Sequence, residues 1–287
     1  MKKSLKEVLM EAESSGQAVG HFNISNIEGL WGVFRAAQAQ NQPVIIGVSE
    51  GERDFIGVAQ TRALVDSVQK EFDFPIYLNA DHTYSVERVK EVIDAGYDSV
   101  IFDGSALPFE ENVKQTRSCV DYARSCGREV LVEGELGFIG QSSKLLDDIP
   151  EGVDLNNLTS PEEAKRFVQE TGVDLIAPAV GNIHGMIRGM GNPKLDIERV
   201  HNIRQAVGIP MVLHGGSGIA DRDFTEAIKA GICEVHISTE LRLAYRDALR
   251  AELQAEPDEI APYKMLKNAV QAIRQAAEKR IKLFAGK

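Results

Sequence analysis

Eight short apolar runs, each followed by a stretch with helical start and stop signals, constrain this chain more than any other feature. They fall at 19–24, 43–49, 75–81, 99–103, 129–135, 174–180, 210–214 and 234–238. Most are rich in Val and Ile and lack strict polar alternation, as parallel strands buried on both faces do. The stretches between them carry helix punctuation. Ser160-Pro161-Glu162-Glu163 offers an N-cap, a proline at the first helical position and an acid two residues later, and Gly172 closes that helix. Ala95-Gly96, Val207-Gly208 and Ala230-Gly231 mark similar exits before the next run. Eight β-then-α units in 287 residues predict an α/β chain folded as a (β/α)8 TIM barrel, a fold that takes about 250 residues. The runner-up is a doubly wound sheet, which would usually carry G-x-G-x-x-G after its first strand, and none stands there. The expected organisation is a single domain over 1–287 with a C-terminal helical extension at 262–284. The long polar segment 141–158 reads as a mobile loop over the fifth strand.

Composition narrows the function classes. The 43 acidic residues against 32 Lys and Arg give a net charge of −11, which argues against a nucleic-acid binder or a membrane-surface protein. It leaves room for a phosphorylated small molecule at a locally positive site. No run approaches the roughly 18 apolar residues of a membrane span. The N-terminus reads as an amphipathic helix opened by a Ser4/Glu7 capping box, not as a signal peptide. Cys119, Cys126 and Cys233 are odd in number and lack metal-type spacing, so they read as packing residues in a reduced, cytoplasmic chain.

Barrel enzymes carry their chemistry at the C-terminal ends of strands. Five of the six histidines lie in or just after a run: His21, His82, His184, His214 and His236. His201 sits in a helix and reads as a solvated surface residue. A lone buried histidine is usually a satisfied core residue, but several converging on one barrel mouth shift that expectation. His82, His184 and His214 follow the third, sixth and seventh runs, and three imidazoles with an open position suit catalytic Zn²⁺ or a similar divalent ion. Asp81, beside His82, could orient a ligand or act as a general acid/base. Glycines cluster at Gly181, Gly185, Gly215, Gly216 and Gly218. Gly215, Gly216 and Ser217, with Ser238 and Thr239 after the eighth run, fit a backbone cradle for phosphate, although glycines also simply make tight turns.

These residues resemble the class II, metal-dependent ketose-bisphosphate aldolases. The likeness runs through Gly20-His21-Phe22-Asn23, Asn79-Ala80-Asp81-His82, Phe102-Asp103-Gly104-Ser105, Glu133-Gly134-Glu135-Leu136-Gly137, Asn182-Ile183-His184-Gly185 and His214-Gly215-Gly216-Ser217-Gly218. The resemblance implies reversible aldol cleavage of a ketose bisphosphate, with fructose 1,6-bisphosphate the first expectation. The products would be dihydroxyacetone phosphate and an aldehyde such as glyceraldehyde 3-phosphate. It implies Zn²⁺ on His82, His184 and His214, with Glu135 at an alternative or outer position, and Asp81 as the catalytic acid/base. It also implies a phosphate cradle of Gly185, Gly215, Ser217, Ser238 and Thr239, and substrate contacts from Asn23 and Ser49. A Na⁺ or K⁺ ion near the phosphate and a homodimer or homotetramer belong to the same picture. The alternatives are a tagatose 1,6-bisphosphate or other ketose 1-phosphate aldolase, a non-catalytic sugar-phosphate-binding paralogue, or a metal-dependent hydrolase on the same barrel. A Schiff-base route would need a lysine on a strand, and no run has one.

Three positions depart from the family pattern. His236 stands where relatives carry asparagine, and could contact substrate, act as a further acid/base, or approach the metal. Ser143 stands where a loop acid is usual, with Asp147 and Asp148 nearby. Tyr263-Lys264 replaces an expected arginine for the second phosphate, and tyrosine lacks arginine's bidentate fork.

Overall fold

The computed structural model describes residues 3–141, 143–189 and 191–287. Its strands are β1 (Val19–Asn23), β2 (Val44–Val48), β3 (Ile76–Thr83), β4 (Ser99–Phe102), β5 (Leu131–Leu136), β6 (Leu145–Leu146), β7 (Leu175–Pro178), β8 (Met186–Ile187), β9 (Met211–Leu213) and β10 (Ile232–Ile237). Eight of them close in the order β1-β10-β9-β7-β5-β4-β3-β2, all parallel. This is the expected (β/α)8 barrel, with each strand shorter or shifted by one to three residues from its sequence run.

The punctuation read from sequence does its work. Ser4 and Ser160 form capping boxes with Glu7 and Glu163, and Gly172 and Gly208 end their helices in the left-handed conformation. Two exits lack glycine: Asn41 (φ 49°) and Asp73 (φ 46°) take the left-handed position, which short polar side chains tolerate. Among the described residues no helix is long and apolar enough to cross a membrane.

Residues two apart on a strand share a face. At the start of the strands Val19, Ile45, Tyr77, Leu131 and Leu175 pack with Leu5, Val8 and Leu9 of the helix Leu5–Ser14, which plugs that end of the barrel. One pleat further on, the same faces carry His21, Gly47, Asn79 and Glu133, and another pleat brings Asn23, Asp81 and Glu135. The interior therefore changes from apolar to polar along its axis. Gly47 is needed at its level, because a Cβ there would lie 2.0 Å from the His21 ring.

Two expectations are refined. The 262–284 segment forms the helices Pro262–Met265 and Lys267–Phe284, and the second packs on the helices Ile27–Gln40 and Thr239–Ala255 of the same barrel. The 141–158 segment is not a free loop at its start: β6 pairs in parallel with β8.

Candidate active site

The register of β3 against β4 slips between Ala80 and Thr83, so Asp81 and His82 sit in a bulge. His82 has φ 35°, a strained value for a residue with a Cβ. Bulges re-aim side chains, and this one turns His82 toward the barrel mouth. The buried guanidinium of Arg53 holds the bulge in place: Nη1 donates to the Asp81 carbonyl at 2.9 Å and Nη2 to Thr83 Oγ1 at 2.9 Å.

His184, in the loop after β7, and His214, just after β9, meet His82 there. Ring centroids are 4.6 Å apart for His82–His184 and 4.9 Å for His82–His214, and one ring nitrogen from each lies within 4.8 Å of the others. Each ring has one nitrogen already engaged: His82 Nδ1 with Asp103 Oδ2 (2.9 Å), His184 Nδ1 with the Gly140 carbonyl (2.5 Å), His214 Nε2 with Glu133 Oε1 (2.8 Å). Outer partners of this kind orient metal-binding imidazoles and fix their tautomers. His214 Nδ1 is left buried without a hydrogen bond, as is Glu135 Oε2, which lies 3.3 Å from His82 Nδ1 and 3.4 Å from His214 Nδ1.

The electrostatics favour a cation. Burial alone would discharge His82 and His214, but Asp81 and Glu135 outweigh it at the first and Glu133 and Glu135 at the second. His82 is held well above the ordinary range and His214 at about 10. Burial and the neighbouring His82 push His184 down to about 4, so it stays neutral. Orphaned donor atoms, an imidazole triad and surrounding carboxylates together fit a divalent metal.

Asp81 has two different oxygens. Oδ2 accepts from Asn23 Nδ2 at 2.8 Å, while Oδ1 is buried without a well-aligned hydrogen bond. Burial works against its charge, but His82 and His236 outweigh it and hold the carboxyl well below the usual range. The same Asn23 Nδ2 donates to Glu52 Oε2 at 3.0 Å. Because both neighbours are carboxylates, the amide must face them with its NH₂ group. Ser49 caps the helix Glu50–Ile56 and gives its hydroxyl to Glu52 at 2.9 Å, and Arg242 Nη2 donates to Glu52 Oε1 at 2.7 Å.

His236 lies between His21 and His214, stacked at 3.5 Å and 4.2 Å between centroids. Its Nε2 meets Glu234 Oε1 at 2.9 Å and its Nδ1 stands 3.3 Å from Asp81 Oδ1. Burial and His214 push His236 down to about 4, whereas burial raises Glu234 to about 7. A protonated Glu234 can thus donate to a neutral His236 whose Nδ1–H faces Asp81.

Around these groups the cleft has two lobes that share Asn23, Asp81, His82, Ser143 and His184. One is floored by Gly185, Gly215, Gly216, Ser217, Ser238 and Thr239 and holds about 20 Å³, room for about one water molecule. Gly215 has φ 62°, and a Cβ on it would meet the Ile183 carbonyl at 2.2 Å. Ser238 Oγ is buried and unpartnered, but the Gly216 N–H is already spent on the His236 carbonyl at 3.0 Å. The second lobe, about 250 Å³, runs past Ser49, Glu50, Tyr84, Gln141 and Arg242. A larger cavity of about 660 Å³ lies at the opposite end of the barrel, beside the helix Leu5–Ser14. Its charged wall is only Lys3, Glu11 and Asp73, and it has no histidine.

The structure therefore brings together every expected site residue, with Ser143 at the junction of the lobes. Tyr263 is 76 % exposed beside Ile27 and Trp31, and Lys264 pairs with Glu259 at 2.8 Å, so neither reaches this cleft within the chain. His201 is exposed, as expected. Asp147 pairs with Arg188 at 3.2 Å. Sequence reasoning passed over Glu52, Arg53, Asp103, Glu133 and Glu234. An acid inside an apolar run, as at 133 and 234, was the one signal available.

Comparison with known proteins gives one consistent result. The family profile described as class-II fructose-bisphosphate aldolase matches residues 3–287. The fructose-bisphosphate aldolase of Staphylococcus aureus is 37% identical over 284 residues, covering 98% of this chain and 96% of that protein. The fructose-bisphosphate aldolase of Geobacillus stearothermophilus is 38% identical over 274 residues, covering 94% and 92%. The crystal structure of the YdjI aldolase from Escherichia coli K12 superposes with a TM-score of 0.83 at 31% identity, covering 99% of this chain and 97% of that one.

Proposed function

This chain belongs to the class-II fructose-bisphosphate aldolase family, and from that premise we propose that it is a metal-dependent aldolase acting at this histidine cleft. It cleaves, reversibly, the C3–C4 bond of a ketose bisphosphate, for which fructose 1,6-bisphosphate is the first choice, to dihydroxyacetone phosphate and an aldehyde. The observation that carries the reading is the pairing of three oriented imidazoles with one free carboxylate oxygen, Asp81 Oδ1.

His82, His184 and His214 would hold the metal, which we take to be zinc, with Glu135 as the alternative ligand. When bound, the metal supplies a Lewis acid worth several kcal/mol to the negative charge that cleavage leaves on the three-carbon fragment. Asp81 does the proton work. Its Oδ1 takes the C4 hydroxyl proton as the C3–C4 electron pair passes to the three-carbon fragment, and returns it to the aldehyde oxygen in condensation. Asn23 keeps the other oxygen occupied, so one oxygen of the carboxylate meets the hydroxyl. The Gly185, Gly215, Ser217, Ser238 and Thr239 cradle takes the 1-phosphate at the N-terminus of the helix Thr239–Ala255, where the helix dipole favours an anion. With room for about one water there, a phosphate enters as the Ser143 side gives way. His236 contacts the reacting end from beside Asp81, and Ser49 lines the far lobe.

The test is direct. Metal-loaded protein is incubated with fructose and tagatose 1,6-bisphosphates and with ketose 1-phosphates, and triose phosphate is assayed. Chelator-sensitive cleavage of at least one is expected, and cleavage of none overturns the reading.

A further inference from the structure

The two lobes meet over Asp81, His82 and His184, the residues that face the breaking bond. With the 1-phosphate in the glycine cradle, the other end of the ketose must lie in the 250 Å³ lobe. That lobe is walled mostly by neutral polar groups. Among the described residues Arg242 is its only permanently cationic side chain.

Arg242 is held, yet only in part used. Its side chain is 43% exposed, and Nη2 is anchored on the buried carboxylate of Glu52 at 2.7 Å. Among the described residues Nε and Nη1 have no partner. On its outer side Arg242 joins Lys144, Arg188 and Arg246 around a neighbouring pocket of about 310 Å³ whose wall contains no acid. Arg188 and Arg246 keep partners in Asp147 and Asp247. Glu50, the acid at the rim of the far lobe, accepts the Tyr84 amide at 3.1 Å and faces Arg88 at 3.8 Å. A guanidinium tethered by one nitrogen, with further donors free, suits planar recognition of an oxyanion.

We propose that Arg242 is the specificity-determining residue for the far end of the substrate, taking a phosphate or carboxylate there through Nε and Nη1. It thereby supplies from the barrel's own last βα unit the charge that Tyr263 does not bring. The proposal rests on the aldolase reading of the same cleft.

The experiment compares fructose 1,6-bisphosphate, a ketose 1-phosphate ending in a carboxylate, and fructose 1-phosphate as the neutral-ended control, in wild type and Arg242→Gln. Calorimetry of the uncleavable hexitol 1,6-bisphosphate and hexitol 1-phosphate reads binding apart from turnover. Wild type is expected to prefer an anionic end. In Arg242→Gln the loss in kcat/KM on the preferred substrate should exceed that on fructose 1-phosphate at least tenfold, mostly through KM. The hexitol Kd ratio should shrink in parallel. Equal losses on all substrates, or an unchanged Kd ratio, overturn the proposal. Which anionic end suffers more tells phosphate from carboxylate. Arg242→Lys keeps the charge without the fork, and carries the test should Arg242→Gln not fold: a preference at least threefold below wild type supports the proposal, and an undiminished one overturns it. Cleavage of no substrate by wild type would instead sink the aldolase reading, leaving the Kd ratio to judge Arg242.

Discussion

Asn23 Nδ2 donates to Asp81 Oδ2 at 2.8 Å and leaves Oδ1 of the same carboxylate without a hydrogen bond. A buried unsatisfied oxygen is costly unless something meets it, and here it faces the cleft where a substrate hydroxyl would come. Asp81→Asn keeps the shape and removes the base. Turnover should fall about 10²–10⁴-fold, while metal content, measured by atomic absorption, stays near that of wild type. A variant retaining wild-type kcat would remove Asp81 from the mechanism.

Glu133 is buried beneath His214 and bonds its Nε2 at 2.8 Å. Glu133→Gln can still pair with that nitrogen but no longer as an anion. Metal affinity should drop about 10–100-fold, as for other outer partners of ligand histidines. Competition against a chelator measures it, and an unchanged affinity would show that Glu133 merely fills space.

Arg53 satisfies the carbonyls of Val48 and Asp81 and the hydroxyl of Thr83 from a site 1% exposed. Arg53→Met leaves three acceptors without donors, at about 1–3 kcal/mol each. Urea unfolding should show a loss of about 3 kcal/mol or more. Turnover per metal-loaded molecule should also fall, because the bulge that aims His82 loosens.

Glu234 titrates at about 7 in the fold against a model value of 4.5. Between those values the native chain keeps a proton that the unfolded chain releases, so this group's contribution is full below pH 4.5 and is lost as pH rises through 7. Glu234→Gln lacks that loss. In metal-stripped protein the stability of the variant relative to wild type should rise by up to about 3 kcal/mol between pH 4.5 and 8. A difference flat across that range would place Glu234 as an ordinary ionised carboxylate.

The alternation of apolar runs with capped helices was legible because caps, exits and buried strands are local signals. Ser160-Pro161, Gly172 and Gly208 each act within a few residues of themselves. The histidines were legible for a related reason: His82, His184 and His214 stand at or just beyond strand ends, where this fold gathers its chemistry. Arg53 and Glu52 were not, since in sequence they look like two charges on a surface helix. Only the fold turns that helix so that both are buried against β3 and β1.

By itself, then, the sequence determined the architecture and the residues that face the mouth. Tertiary structure alone decided how each is held. Barrel closure sets β1 beside β10 and stacks His21 on His236, a contact no local pattern encodes. It chooses which nitrogen of each histidine stays open by placing Asp103, Gly140 and Glu133 behind the rings. It also decides which arginine can serve the far lobe, Arg242 rather than any residue near Tyr263. The reason is physical: propensity and capping act over a turn or two of chain, whereas a buried charge is tolerated only where partners from distant segments meet it.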